Sequence, residues 1–247
     1  MRNLLYVLLF LFSSTGFSGT IDPNIPDNKY VEYGQKYECV VGICGNYEDN
    51  SPYCASAVII KPRWILTAAH VVKGSKKCFI KINNEKKVIS KIIPHKNYEE
   101  NNFGYYDIAL GYVDEDLVIN SYPQLYDNTD EEGRLCSIVG VGLTGTFETG
   151  CVVSDNKKRA GLNIIDQIDR HLLVCTPSKE HKKTELEFLI GSGDSGGGLF
   201  IDSKLAGINS CVMAVDGKPN SSYSDESGHT RISKYRSWII EEIEINK

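Results

Sequence analysis

From residue 37 onward, short apolar or β-branched runs alternate with polar turns. Runs at 37–43, 54–60, 64–68, 78–82 and 88–93 read as strands, with Lys61-Pro62-Arg63 and Asn83-Asn84-Glu85 as turns between neighbours. Turn signals every 8–12 residues are the mark of a β-barrel or sandwich. The pattern resumes at 107–113, 135–141, 172–175, 198–201 and 205–212, with Asp202-Ser203-Lys204 as a hairpin turn. Between the two sets lies an acidic, turn-rich connection, 114–133, and polar loops are expected at 154–159 and 178–184. Only the end changes period. Tyr235, Trp238, Ile239 and Ile243 recur at helical spacing, which predicts a helix over 233–245 with Ser233 as its N-cap and its aromatic stripe packed on a barrel.

The N-terminus adds a compartment. Met1-Arg2-Asn3 is a basic head, residues 4–12 are nine apolar residues, and 13–19 are small and polar apart from Phe17. This is the three-part form of a secretory signal peptide, and residues 1–19 are assigned to one. The apolar run is far short of the ~20 residues of a membrane-spanning helix. Eight cysteines also point to an oxidising compartment. A formal charge of −5 gives no reason to expect a nucleic acid or membrane partner, and nothing suggests more than a monomer. Asn220-Ser221-Ser222 is the one glycosylation sequon.

Three segments carry candidate chemistry. In Gly191-Ser192-Gly193-Asp194-Ser195-Gly196-Gly197-Gly198, glycines leave a serine hydroxyl exposed and backbone N–H groups free to meet an oxyanion. A flexible loop is the plainer reading, but a strand as apolar as Leu199-Phe200-Ile201 follows at once. Leu66-Thr67-Ala68-Ala69-His70 places an imidazole, the natural base for a serine proton, after small residues at a strand end. His95, His171, His181 and His229 have no such context. Tyr106-Asp107-Ile108-Ala109-Leu110 offers a carboxylate at the start of an apolar strand, suited to orienting that imidazole.

Together these segments resemble the chymotrypsin/trypsin-like secreted serine endopeptidases, over nearly the whole chain after residue 19. Trp64 to His70, Asp107 to Leu110 and Gly193 to Gly197 match the family's three motifs in the order His, Asp, Ser. The resemblance implies an all-β fold of two six-stranded antiparallel barrels, here roughly 30–118 and 134–232, with a C-terminal α-helix at 233–245. It also implies a serine endopeptidase with Ser195 as nucleophile, His70 as general base, Asp107 as its orienter, and the Gly193 and Ser195 N–H groups as oxyanion hole. Polypeptide substrates and protein inhibitors would be its partners, and no metal or organic cofactor is needed.

The chain departs from the family in three places. The family's Ile-Val-Gly-Gly activation terminus, whose amino group pairs with the acid at Asp194, is missing. The nearest candidate by spacing is Tyr30 after Lys29, a poor match. By resemblance Cys54–Cys78 is the one expected disulfide. Cys39, Cys44, Cys136, Cys151, Cys175 and Cys211 pair in another scheme or stay partly unpaired, with 15 connectivities open; their spacing lacks the Cys-x2-Cys of a metal site. The family's specificity pocket maps to Leu189 at its base, Ser210 and Val212 at its entrance and Ser227 on its far wall. Those residues imply a small or apolar residue before the scissile bond. A catalytically silent homologue and a small-ester hydrolase are the competing functional readings.

Overall fold

Six strands close the first β-unit into a barrel. The computed structural model describes residues 19–246 except 83, 84, 154, 180–182 and 215. The expected signal peptide up to residue 18, the two asparagines of the 83–85 turn and part of the 154–159 and 178–184 loops lie outside the described residues. A short strand β1 (Thr20–Ile21) and a helix α1 (Asp27–Gln35) come first. Then follow β2 (Val40–Tyr47), β3 (Pro52–Lys61), β4 (Trp64–Thr67), a single helical turn α2 (Ala69–Val72), β5 (Ser75–Ile82), β6 (Glu85–Pro94) and β7 (Ala109–Val113). The six strands form a closed antiparallel barrel in the order β2-β3-β4-β7-β6-β5. Ile43, Ile59, Ile65, Leu66, Ile80 and Leu110 belong to its hydrophobic core and are fully buried.

The second unit comprises β8 (Leu135–Gly140), β9 (Thr144–Thr146), β10 (Gly150–Val153), β11 (Arg159–Ile164), β12 (Gln167–Asp169), β13 (Leu172–Cys175), β14 (Phe188–Leu189), β15 (Gly198–Ile201), β16 (Lys204–Ala214) and β17 (Asp225–Arg231). Seven of these form a sheet in the order β11-β8-β15-β16-β17-β13-β12. A smaller sheet, β10-β9-β1-β14, draws in β1, which runs parallel to β9 and antiparallel to β14. The core of this unit includes Ile138, Leu173, Phe188, Leu199 and Ile201. The two-barrel, all-β class expected from the sequence is therefore the class observed.

The terminal helix α3 (Ile232–Ile245) follows β17 directly. Ile232, Tyr235, Ile239 and Ile243 are its buried stripe, and they join the core of the first barrel. The chain thus returns across the molecule, and each buried apolar side chain contributes about 1.5–3 kcal/mol to that closure. The N-cap is Arg231, not Ser233. Ser233 lies inside the first turn because its hydroxyl is drawn to Glu131 Oε1 at 2.7 Å. Glu131 is fully buried within the acidic connection and takes a two-pronged ion pair from Arg231, at 2.8 and 2.6 Å. Removing either partner would strand a buried charge, a loss of about 3–5 kcal/mol.

Helix α1 was not expected, and it occupies the segment that holds the candidate activation site. Tyr30 is completely buried in it, against Phe188. Asp27 in the first turn accepts from Arg159 Nε at 2.6 Å and Nη2 at 2.8 Å; Arg159 also bonds Asp155.

The disulfide expected from the resemblance is replaced by another. Cys54 bonds Cys44, its direct partner across the β2–β3 ladder with Cα atoms 4.1 Å apart. Cys78 is a buried free thiol on β5, opposite Gly45, and β2 lies between it and Cys54. A second pair, Cys136 and Cys175, meets in the core of the second unit with sulfurs 3.9 Å apart. Peptide mapping without reduction is expected to recover Cys54 linked to Cys44. On incubation with oxidised glutathione, Cys136–Cys175 is expected to be the next crosslink, since the two sulfurs already lie in contact. A Cys54–Cys78 peptide would contradict this arrangement.

Candidate active site

The three candidate segments converge on one cleft. His70 sits in α2, the single turn that follows β4, and Asp107 lies two residues before β7, the ladder partner of β4. Adjacent strands therefore deliver both groups to the same end of the barrel. His70 Nδ1 and Asp107 Oδ2 are 2.8 Å apart, and Asp107 Oδ1 accepts the His70 backbone N–H at 2.9 Å. The carboxylate so fixes both the ring and the turn that carries it. The Ser210 hydroxyl donates to Asp107 Oδ2 at 2.6 Å, and the Thr230 hydroxyl donates to the Asp107 carbonyl at 2.9 Å.

Burial opposes charge on both members of the pair, and their mutual attraction outweighs it. On its own, burial would push His70 down; the Asp107 charge and hydrogen bond, with a further contribution from Glu100, hold the imidazole above its usual value. Burial would likewise push Asp107 up, but the His70 charge and hydrogen bonds from His70 and Ser210 keep its carboxyl below the ordinary range. The pair is an ionised acid beside a base that protonates readily.

Ser195 arrives from the second unit, on the turn between β14 and β15, and lines the cleft together with His70 and Asp107. Gly193 has φ +88°, a backbone conformation that favours glycine. Among the described residues, neither the Gly193 nor the Ser195 N–H has a protein acceptor. Asp194 points the other way, fully buried, and its carboxylate accepts from Gly142 N at 2.7 Å and Gly191 N at 2.8 Å.

Residues that carry no sequence signal hold this loop. Ser56 on β3 donates its hydroxyl to Gly193 O at 3.0 Å, accepts from Val141 N at 3.0 Å, and donates its own N–H to Ser195 O at 2.9 Å. It ties the Ser195 loop to the first barrel, which carries His70. Behind the loop, Asn209 donates to Val139 O and Asp194 O and meets His229 Nδ1 at 2.9 Å; His229 Nε2 in turn meets Ser227. Burial pushes His229 down to about 3, so this histidine is neutral and structural.

The pocket residues expected from the resemblance separate. Val212 and Ser210 line the cleft, though the Ser210 hydroxyl is committed to Asp107. Leu189 does not line it: it is fully buried in β14, paired with Thr20 of β1, and Ile190 takes the cleft position instead. Ser227 is buried opposite Val212 on the ladder and donates to Cys175 O. At Gly191, a Cβ would lie 2.2 Å from the Cys151 sulfur, so the Cys151 thiol occupies the space behind the cleft wall. Burial pushes that thiol up to about 12, which makes it a packing group. The opposite wall comes from the loop before Asp107, including Tyr98, Glu99, Glu100 and Phe103.

Comparison with known proteins agrees with this architecture. The trypsin family profile matches residues 33–239. Kallikrein 1-related peptidase b3 of Mus musculus is 26% identical over 76% of this chain and 79% of its own length. The chymotrypsin of Phaedon cochleariae is 30% identical over 75% and 70% respectively. Among solved structures, HL collagenase superposes with a TM-score of 0.68 at 16% identity, over 85% of this chain and 95% of its own. Neuropsin, a serine protease expressed in mouse brain, gives 0.67 at 20% identity, over 85% and 96%. The chain belongs to the trypsin family. It is accordingly a serine protease, with polypeptides as substrates.

Proposed function

We propose that this chain is a secreted serine endopeptidase that works through a Ser195 acyl-enzyme and prefers a small or apolar residue before the scissile bond. The carrying observation is the double hold of Asp107 on His70, at ring and backbone, on a cleft that also presents Ser195. As His70 Nε2 takes the Ser195 proton, Oγ attacks the scissile carbonyl carbon. Asp107 keeps the proton on Nδ1 and stabilises the imidazolium. The Gly193 and Ser195 N–H groups receive the oxyanion, each worth about 2.7–4 kcal/mol in the transition state. His70 then returns the proton to the leaving amine. Water, activated by the same base, attacks the ester, and the tetrahedral adduct collapses to free acid and regenerated Ser195.

Ile190 and Val212 support the specificity, for both are apolar residues lining the cleft. Secretion rests on the basic-apolar-polar N-terminus; among the described residues no helix is long and apolar enough to cross a membrane. The test treats the purified protein with a serine-reactive phosphonate, locates the adduct, and assays a peptide panel varied at the residue before the cut. Labelling at Ser195 with faster cleavage after Ala, Val, Leu or Phe than after Arg is expected. Faster cleavage after Arg would overturn the preference. Absence of labelling would favour a silent homologue, and ester turnover without peptide turnover would favour an esterase.

A further inference from the structure

The formal charge of −5 conceals a separation of sign. Residues 75–96 hold seven lysines and no arginine against a single acid, Glu85. The remainder of the chain has twenty basic residues against thirty-one acidic ones. The basic segment is the β5–β6 pair on the outside of the first barrel. On β5, Cys78 and Ile80 face the core while Lys77 and Lys81 are exposed. The register shifts where β5 passes Asn46 and Tyr47, which leaves Lys76 outside the ladder and exposed beside Lys77. Lys81 stands directly opposite Lys86 on β6.

Like charges facing each other across a ladder destabilise it unless something neutralises them. Among the described residues, ion pairs on this hairpin are confined to Lys87, which meets Glu115 at 2.8 Å and Glu85 at 3.1 Å. Lys76, Lys77, Lys81 and Lys86 have no carboxylate partner there. None of the four lines the cleft.

We propose that the outer face formed by Lys76, Lys77, Lys81 and Lys86 is a docking surface for a sulfated polysaccharide. Lys77 and Lys81 lie about 13 Å apart along one rigid strand, and Lys86 widens the row to a second. Fixed ammonium point charges at such intervals suit a linear polymer with repeating sulfates. The alternatives fit the surface less well. A nucleic acid would find no arginine fork to read a base and no open aromatic face for stacking, since Lys86 lies over the Phe79 ring, 4.5 Å from its centroid. A membrane would find one exposed apolar side chain on the hairpin, Val88, where insertion takes an apolar face. The expected secretion of the chain places it where extracellular sulfated polymers occur.

The test measures heparin binding by fluorescence anisotropy at several salt concentrations for three proteins. These are the wild type, K77E/K81E/K86E, and a control, K36E/K218E/K234E, that changes net charge equally at exposed lysines elsewhere. The hairpin variant is expected to bind at least tenfold more weakly. Its slope of log affinity against log salt should fall by about two, as three ionic contacts are lost. The control is expected to stay within about threefold of wild type. Peptide turnover unchanged in the hairpin variant would show it folded; if it does not fold, K77Q/K81Q/K86Q replaces it, with the same direction of effect. Equal losses in both variants, or no wild-type binding at 0.1 M salt, would overturn the proposal. So would binding of duplex DNA or phosphatidylserine vesicles as tight as that of heparin.

Discussion

Ser195→Ala is expected to lower kcat for a cleavable peptide by about six orders of magnitude, the loss that follows when the nucleophile of such a triad is removed. The residual rate would come from substrate binding and the oxyanion donors, which the substitution leaves in place. Folding should be almost unaffected. The anchoring bond at this residue runs from Ser56 N to the Ser195 carbonyl, which alanine retains. Stopped assays of purified variant and wild type, with thermal unfolding of both, check this. A variant within a hundredfold of wild type would remove Ser195 from the chemistry, and the phosphonate label would then be sought elsewhere.

Asp107→Asn is expected to cost about 10⁴ in kcat while leaving the backbone in place. Asn can still accept the His70 N–H through its carbonyl, but it then presents an amide NH2 to Nδ1 and to the Ser210 hydroxyl. The imidazole is driven to the tautomer protonated on Nε2, which cannot take the serine proton. The pH profile adds a second signature. Turnover requires neutral His70, so activity falls as pH drops through the His70 pKa. Asp107 raises that pKa, so the acid limb of the wild type is expected above the usual 6.5 of a free imidazole. In the variant burial acts without the opposing charge, and the limb should move to lower pH. A limb that stays fixed would mean another group controls it.

The candidate segments were legible because the chemistry proposed for them demands unusual composition: a glycine-rich turn, a histidine after small residues, an acid opening an apolar strand. The strands of the first barrel were legible for a related reason. β3, with Ala57 to Ile60 all buried, has little room for polar side chains. By contrast β17, Asp-Glu-Ser-Gly-His-Thr-Arg, gives no apolar signal, yet it is nearly all buried. Most of its polar groups find partners: Asp225 Oδ2 accepts from the Ser221 and Ser222 N–H groups, His229 meets Asn209 and Ser227, Thr230 donates to the Asp107 carbonyl and Arg231 pairs with Glu131, while Asp225 Oδ1 stays buried without a hydrogen bond among the described residues. Such pairing depends on partners far along the chain, which local pattern cannot display. Ser56 was missed for the same reason. In Cys54-Ala55-Ser56-Ala57-Val58 it is a small residue in a strand, and only the arrival of Gly193 and Ser195 gives it a role. The surroundings of Leu189 were not legible because a shared motif fixes the Ser195 turn more tightly than the strand before it, which here pairs with β1.

Helix α1 determines what other proteases can do to this chain. A peptide bond enters a protease cleft as an extended strand, so several residues around it must first unwind. The Lys29–Tyr30 bond lies within the helix, beneath a side chain with no exposed surface. Three residues away, Arg159 grips both oxygens of Asp27. A trypsin-like enzyme meeting the folded protein therefore finds this bond closed although the Lys29 side chain is exposed. The rate of cutting there reports how often Arg159 releases Asp27 and the first turn frays.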